Sequence, residues 1–283
     1  MRTSLTHHFA TSFYYWFDHV LVSEGDAYVN KTGVLYSQTD PRLNDGYAIF
    51  ASPYKQWVYD SNQTGANIPT GVTVNAVDYN RSDGVNFDFD NGRVIFTGGL
   101  QPNSASAVTC DYAVKELNVY LSQDSEEEVL MAASSFVNDV WGITPSTGVE
   151  PYKEAIPACF LNIQTNKNEP FALGGMDSTK MTVRTTVIAT DIFILQGCLD
   201  LFVDKNQTII PYINFTGDPR NEFRDIKTSP FTYSTFATDL DNGYFIDEVN
   251  TYKANQRINQ AIGNHVAVGF IDFSLSQQRY PRI

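Results

Sequence analysis

The sequence predicts an α+β chain: an N-terminal helix, a β-sandwich- or barrel-like domain, and then an α+β domain with helices on one face of a sheet. Three observations predict it. Apolar groups recur at helical spacing over residues 3–21. From 26 to 121 short alternating runs return every 10–15 residues with turn residues between them. From 181 a β-branched run leads into a capped helical pattern and then further strands.

The first helix is read from Leu5, Phe9, Phe13, Trp16, Phe17, Val20 and Leu21, which fall on one face. Thr3 or Ser4 can cap its start, and Gly25 lies just past its end. The face is unusually aromatic. It can pack on the chain's own body, or Phe9, Phe13, Trp16 and Phe17 can anchor a neighbouring subunit. The second is expected, so a chain without residues 1–22 should stay soluble but fail to assemble.

Residues 23–141 read as the β-rich domain. Gly46–Phe50 and Lys55–Tyr59 alternate as short strands, residues 61–71 form a polar loop, and Val72–Asn75 resumes a strand. Val85-Asn86-Phe87-Asp88-Phe89 enters a tight turn at Asp90-Asn91-Gly92-Arg93, and Val94-Ile95-Phe96 leaves it. Ala107–Val114 and Leu117–Leu121 follow as strands. Glu126-Glu127-Glu128 suits a solvated face or a first helical turn, and 129–137 is open between helix and strand.

The Gly/Pro/Ser/Thr stretch at 142–151 marks the boundary to a second domain, 142–283. Met181–Ile188 is a strand, and Thr190 or Asp191 caps a helix carrying Leu195, Leu199 and Phe202. Thr208–Ile213 is a strand that Pro211 confines to an edge. A polar insertion at 214–242 is too long for a simple connector. Strand 244–252, a short helix at 255–262 and a closing strand at 266–275 complete the chain.

Composition narrows the chemistry. At 283 residues, 42% apolar and 13% aromatic, the chain can fill large cores. Nineteen basic against thirty-two acidic side chains give a formal charge of −13. A phosphate backbone repels such a surface, so DNA is expected only to pass without adhering. Three scattered cysteines, Cys110, Cys159 and Cys198, read as core-filling thiols rather than a disulfide framework. No signal peptide and no run of roughly 18 apolar residues is found, so no membrane partner is expected.

Candidate chemistry is sparse. The two Asp-x-Asp-Asn-Gly segments, 88–92 and 239–243, lack the ligand spacing and the closing acid of a calcium loop, and read as turns. His7 and His8 diverge on a helix, His8 and His19 lack a carboxylate partner in sequence, and His265 stands alone. No serine elbow or phosphate loop occurs. A pair of glycosidase carboxylates leaves no signature and stays open. No catalytic, cofactor or metal residue is assigned, and the expectation is a non-enzyme without cofactor. The loop carrying Phe171, Leu173 and Met176 either covers the second core or offers an apolar contact.

The stretch Val85–Tyr120, with Asp-Asn-Gly-Arg-Val-Ile-Phe and Asp111-Tyr112-Ala113-Val114-Lys115, resembles structural proteins of tailed-bacteriophage virions. The run 181–213, closing with 265–282, is similar to proteins of the head–tail junction: connectors, stoppers and tail terminators. The resemblance implies a non-enzymatic subunit of a symmetric ring around the DNA channel. It would assemble in the host cytoplasm with itself and with portal or tail proteins. The alternative is a carbohydrate-binding or glycan-degrading protein of a tail, baseplate or cell surface, with exposed Tyr or Trp stacking on sugars.

Overall fold

A computed structural model describes residues 5–41, 43, 46–97, 99–131, 154–170, 175–214, 220–227, 231–255 and 266–280. The helix α1 spans Leu5–His19 and widens into a π-helical turn at Val20–Glu24. Gly25 closes it, because a β-carbon there would lie 2.7 Å from the Leu21 carbonyl oxygen.

The first sheet has seven strands: β1 (Tyr28–Gln38), β2 (Ala48–Ala51), β3 (Gly71–Val74), β4 (Val77–Asn80), β5 (Val85–Asp88), β6 (Arg93–Phe96) and β7 (Val108–Lys115). Their order is β4-β3-β7-β1-β2-β6-β5. β1 serves two neighbours. Tyr28–Leu35 pair with β7, and Tyr36–Gln38 pair with β2. The β5–β6 hairpin forms as its alternation predicts, with Val85 opposite Phe96 and Asp88 opposite Arg93. Gly92 takes φ +62° in its turn, and a β-carbon there would stand 1.8 Å from the Tyr54 carbonyl oxygen.

The stretch expected to be a strand at 55–59 makes a single bridge, Trp57 to Val114. It nevertheless curls the sheet toward a barrel. The Trp57 N–H donates to the Phe89 carbonyl (2.8 Å) and the Val58 N–H to the Ala113 carbonyl (2.8 Å), so the segment ties β7 to the far hairpin. Trp57 is wholly buried and stacks on Tyr112 at 4.5 Å.

The second sheet has six strands: β8 (Asn118–Leu121), β9 (Ala158–Pro170), β10 (Asp177–Ala189), β11 (Ile209–Tyr212), β12 (Asp239–Lys253) and β13 (Ala267–Arg279). The order is β11-β12-β13-β10-β9-β8, and only the β8–β9 pair is parallel. Two features depart from expectation. β9 carries no clear alternation signal, yet it is among the longest strands. β8 belongs to this sheet rather than to the β-rich domain, so the change of sheet falls between β7 and β8. The stretch 142–151 and the short helix expected at 255–262 lie outside the described residues, save Asn255. Pro211 does sit in an edge strand.

Among the described residues three further α-helical segments follow. Residues 126–131 form α2, started by a reciprocal cap in which the Ser125 N–H donates to Glu128 Oε2 (2.8 Å). Helix α3 (Ile192–Val203) is capped by Asp191, whose carboxylate accepts from the N–H groups of Phe193 and Ile194. Helix α4 (Tyr233–Phe236) is a single turn inside the insertion. α1 and α3 lie side by side on one face of the second sheet, with Phe17 stacked on Phe202 at 4.0 Å and Phe13 edge-on to Phe273 at 5.1 Å. The first sheet closes over α1 from the other side, through Tyr15 against Tyr59. One continuous apolar core therefore runs through both sheets.

Gln56 joins the sheets. Its side-chain amide donates to the Val119 carbonyl (2.6 Å) and accepts from the Val119 N–H (2.7 Å), while its backbone N–H donates to the Asp90 carbonyl (3.1 Å). An amide side chain thus pairs with β8 as a neighbouring strand would. Gln56→Ala would leave both buried Val119 groups unpaired and is expected to cost about 2–4 kcal/mol, read as a lower urea midpoint. An unchanged midpoint would refute the joint.

Candidate functional site

The aromatic face of α1 was expected at a subunit contact, and the structure corrects this. Phe9, Phe13 and Phe17 are 0% exposed and Trp16 is 5% exposed within the single chain. They are spent on the chain's own core, because the second sheet needs one of its faces covered and α1 supplies that cover. Phe171 and Leu173 lie outside the described residues, and Met176 is half-buried at the start of β10.

Charged groups gather where α1, the first sheet and the insertion meet. Lys115 on β7 donates to Asp18 on α1 at 2.5 Å, and both side chains are buried. Arg220, from the insertion, is 5% exposed and pairs with Asp90 of the β5–β6 turn. Its guanidinium lies 4.6 Å from the Tyr59 ring centre and 5.5 Å from that of Tyr15. A second clamp sits nearby: Asp225 takes Arg81 in a two-pronged pair (3.2 and 2.9 Å) and accepts the Phe87 N–H. The described residues of the insertion at 214–242 therefore form a strap docked on the first unit and on α1, through Arg220, Asp225 and Tyr233.

Burial sets the electrostatics. Desolvation lowers the pKa of Lys115, against the pull of Asp18. Desolvation works against the charges on Asp90 and Arg220 too, but their mutual attraction prevails: Asp90 is lowered and Arg220 raised. Burial also raises the hydroxyls of Tyr14 and Tyr59 well above the ordinary tyrosine value. These groups have no room for a substrate. The cavity beside Asp18, Lys115, His19 and Tyr233 measures about 10 Å³, enough for one water.

The remaining candidates resolve into packing and turns. Asp88 accepts from the Asn91 N–H (3.1 Å), the Asn91 amide (2.7 Å) and Arg93 (2.9 Å), and Asp239 accepts from Asn242, so both Asp-Asn-Gly segments spend their first carboxylate on the turn. His8 packs against Tyr212. His19 finds a carboxylate the sequence did not reveal, Asp60 at 3.1 Å, and stacks on Tyr233 of the strap at 4.1 Å. His265 lies outside the described residues. Among the described residues, no three His, Cys, Asp or Glu side chains are grouped to hold a metal. All three cysteines are free and buried, and burial, with Cys198 beside it, raises the Cys159 thiol well above its ordinary value. No helix among the described residues is long and apolar enough to cross a membrane.

Two open surfaces remain. A groove of about 580 Å³ crosses the first sheet, where Thr32 donates to Asp111 (2.5 Å) and Thr73 to Asp78 (2.6 Å). The other is the face of the second sheet turned away from α1 and α3, which, among the described residues, α2 covers at one end. There Arg184 joins Glu126 of α2 to Asp272 of β13. No family model matches this chain, and no curated protein matches it.

Removing residues 1–22 would strip the shared core, so the truncated chain is expected to aggregate or unfold rather than remain a soluble, assembly-deficient protein. A cooperative melt from that truncation would contradict the layered core. Arg220→Ala leaves Asp90 uncompensated and is expected to cost roughly 3 kcal/mol by chemical denaturation. Because the Asp90 pKa is depressed in the folded state, its contribution is complete above the unfolded value of about 3.9 and fades as the pH falls through the folded one. Asp90→Asn should therefore flatten the acid limb of the stability curve, measured by melting temperature against pH.

Proposed function

We propose that this chain is a structural subunit of a tailed-bacteriophage virion, at the head–tail neck or tail, acting by assembly and not by catalysis. The observation that carries the reading is the one-sided cover of the second sheet. Among the described residues, six strands bury one face on helices, and the other face, buried at one end under α2, is otherwise a broad, shallow surface suited to another protein. The sequence resemblance supplies the particle. The buried ionic layer fits the same reading, because it fixes the orientation of sheets, helix and strap without exposing reactive groups. Apolar groups at the periphery add contact points, with Phe193 at the tip of α3 84% exposed and Tyr280 after β13 74% exposed. An acidic wall would let DNA pass without adhering.

A second reading is favoured by the groove on the first sheet. Its paired Thr–Asp groups and the backbone of residues 66–71 offer donors and acceptors to a glycan. Light scattering of the purified chain, alone and mixed with a candidate portal or tail protein, separates the two. A defined oligomer or co-complex is expected. A monomer indifferent to both, whose glycan binding is lost in Asp78→Asn and Asp111→Asn, would replace the first reading by the second.

A further inference from the structure

We propose that the open face of the second sheet binds the same face of a second copy, about a two-fold axis lying along β13. This rests on the assembly reading above and names the surface and the partner. The face can be mapped from register. From β11 to β9, one row runs Ile209, Phe245, Ser276, Lys180 and Lys167. These point away from the core, because the alternating residues Tyr244, Ile246, Leu275 and Met181 point into it.

The two flanks of this face differ in charge. On the β12 flank the register slips between Ile246 and Glu248, making Asp247 an extra residue. The Asp247 carboxylate accepts from Ser276 Oγ at 3.0 Å, which places it on the open face beside Glu248. Neither acid makes an ion pair among the described residues. On the opposite flank Lys167 and Lys180 share a single carboxylate, Glu169, at 2.8 and 2.9 Å, which leaves an excess positive charge. Their side chains are 73% and 59% exposed. One flank is negative, the other positive, and β13 runs between them.

That arrangement is self-complementary. A half-turn about β13 lays β12 of one copy over β10 of the other, and repeats the contact on the far side. Asp247 and Glu248 then meet the lysines of the second copy. Phe245 and Ile209, 39% and 48% exposed, come to lie over the alkyl stems of Lys180 and Lys167. Rotating like flank onto like flank would oppose charges of one sign.

Sedimentation velocity of the full chain tests this. The wild type is expected to dimerise reversibly up to about 100 µM, and more weakly as salt is raised. Lys167→Glu with Lys180→Glu, or Asp247→Lys with Glu248→Lys, should each weaken the dimer by roughly tenfold or more. All four reversals together should restore it, since the flanks have only exchanged signs. Unchanged melting temperatures would show that the exposed substitutions leave the fold intact. A monomeric wild type, or four reversals that fail to rescue, overturns the proposal. Wild-type self-association indifferent to every reversal overturns this face while leaving the assembly reading in place.

Discussion

The helix α1 packs on the second sheet beside α3 and reaches the first unit through Tyr15 and Tyr59, and the rest of the molecule follows from that shared burial. A sheet with one greasy face must be covered, and α1 and α3 cover one face of the second. The gap between layers is filled by rings: Phe9 against Tyr244, Phe13 and Trp16 against Phe273, Phe17 on Phe202. Each fully buried ring contributes about 1.5–3 kcal/mol by area, and aromatic edge contacts add to it. The largest apolar cluster runs through both sheets, and a second, smaller one lies under α2 on the other face of the second sheet.

The price of that economy is charge buried at the seam. Asp18, Lys115, Asp90 and Arg220 lie where helix, first sheet and strap converge, and water cannot solvate them well. Buried pairs of this kind add little net stability over apolar groups of the same shape, but removing one partner is severe. Their value here is orientation. Arg220 reaches its carboxylate only when the strap lies across the Tyr15 and Tyr59 rings, and Asp225 meets Arg81 only in the same position. Gln56 adds a neutral clamp of the same kind by occupying the free edge of β8, which would otherwise invite another strand. The seam thus holds the layers in one arrangement and turns the far face of the second sheet outward, with acids on one flank and lysines on the other.

Much of this was legible in the residues. The helix at 5–19, the hairpin of 85–96, the cap at Asp191 and the edge position of Pro211 each follow from local rules: spacing, positive-φ glycine, carboxylate capping and a missing N–H. β9 was not legible, because Gln164, Asn166, Lys167 and Asn168 break the apolar alternation, and its long pairing with β10 decides it. β8 reads as a strand, yet nothing local says which sheet accepts it. The roles of Gln56, Arg220 and Asp60 were equally hidden, since their partners lie 63, 130 and 41 residues away.

The sequence by itself determined which segments form elements and which of their faces are greasy, because both depend on periodicity within a few residues. Only the tertiary structure decided what the aromatic helix covers. An apolar face is equally satisfied by a neighbour or by its own chain, and the preference belongs to the distant strands that arrive to meet it.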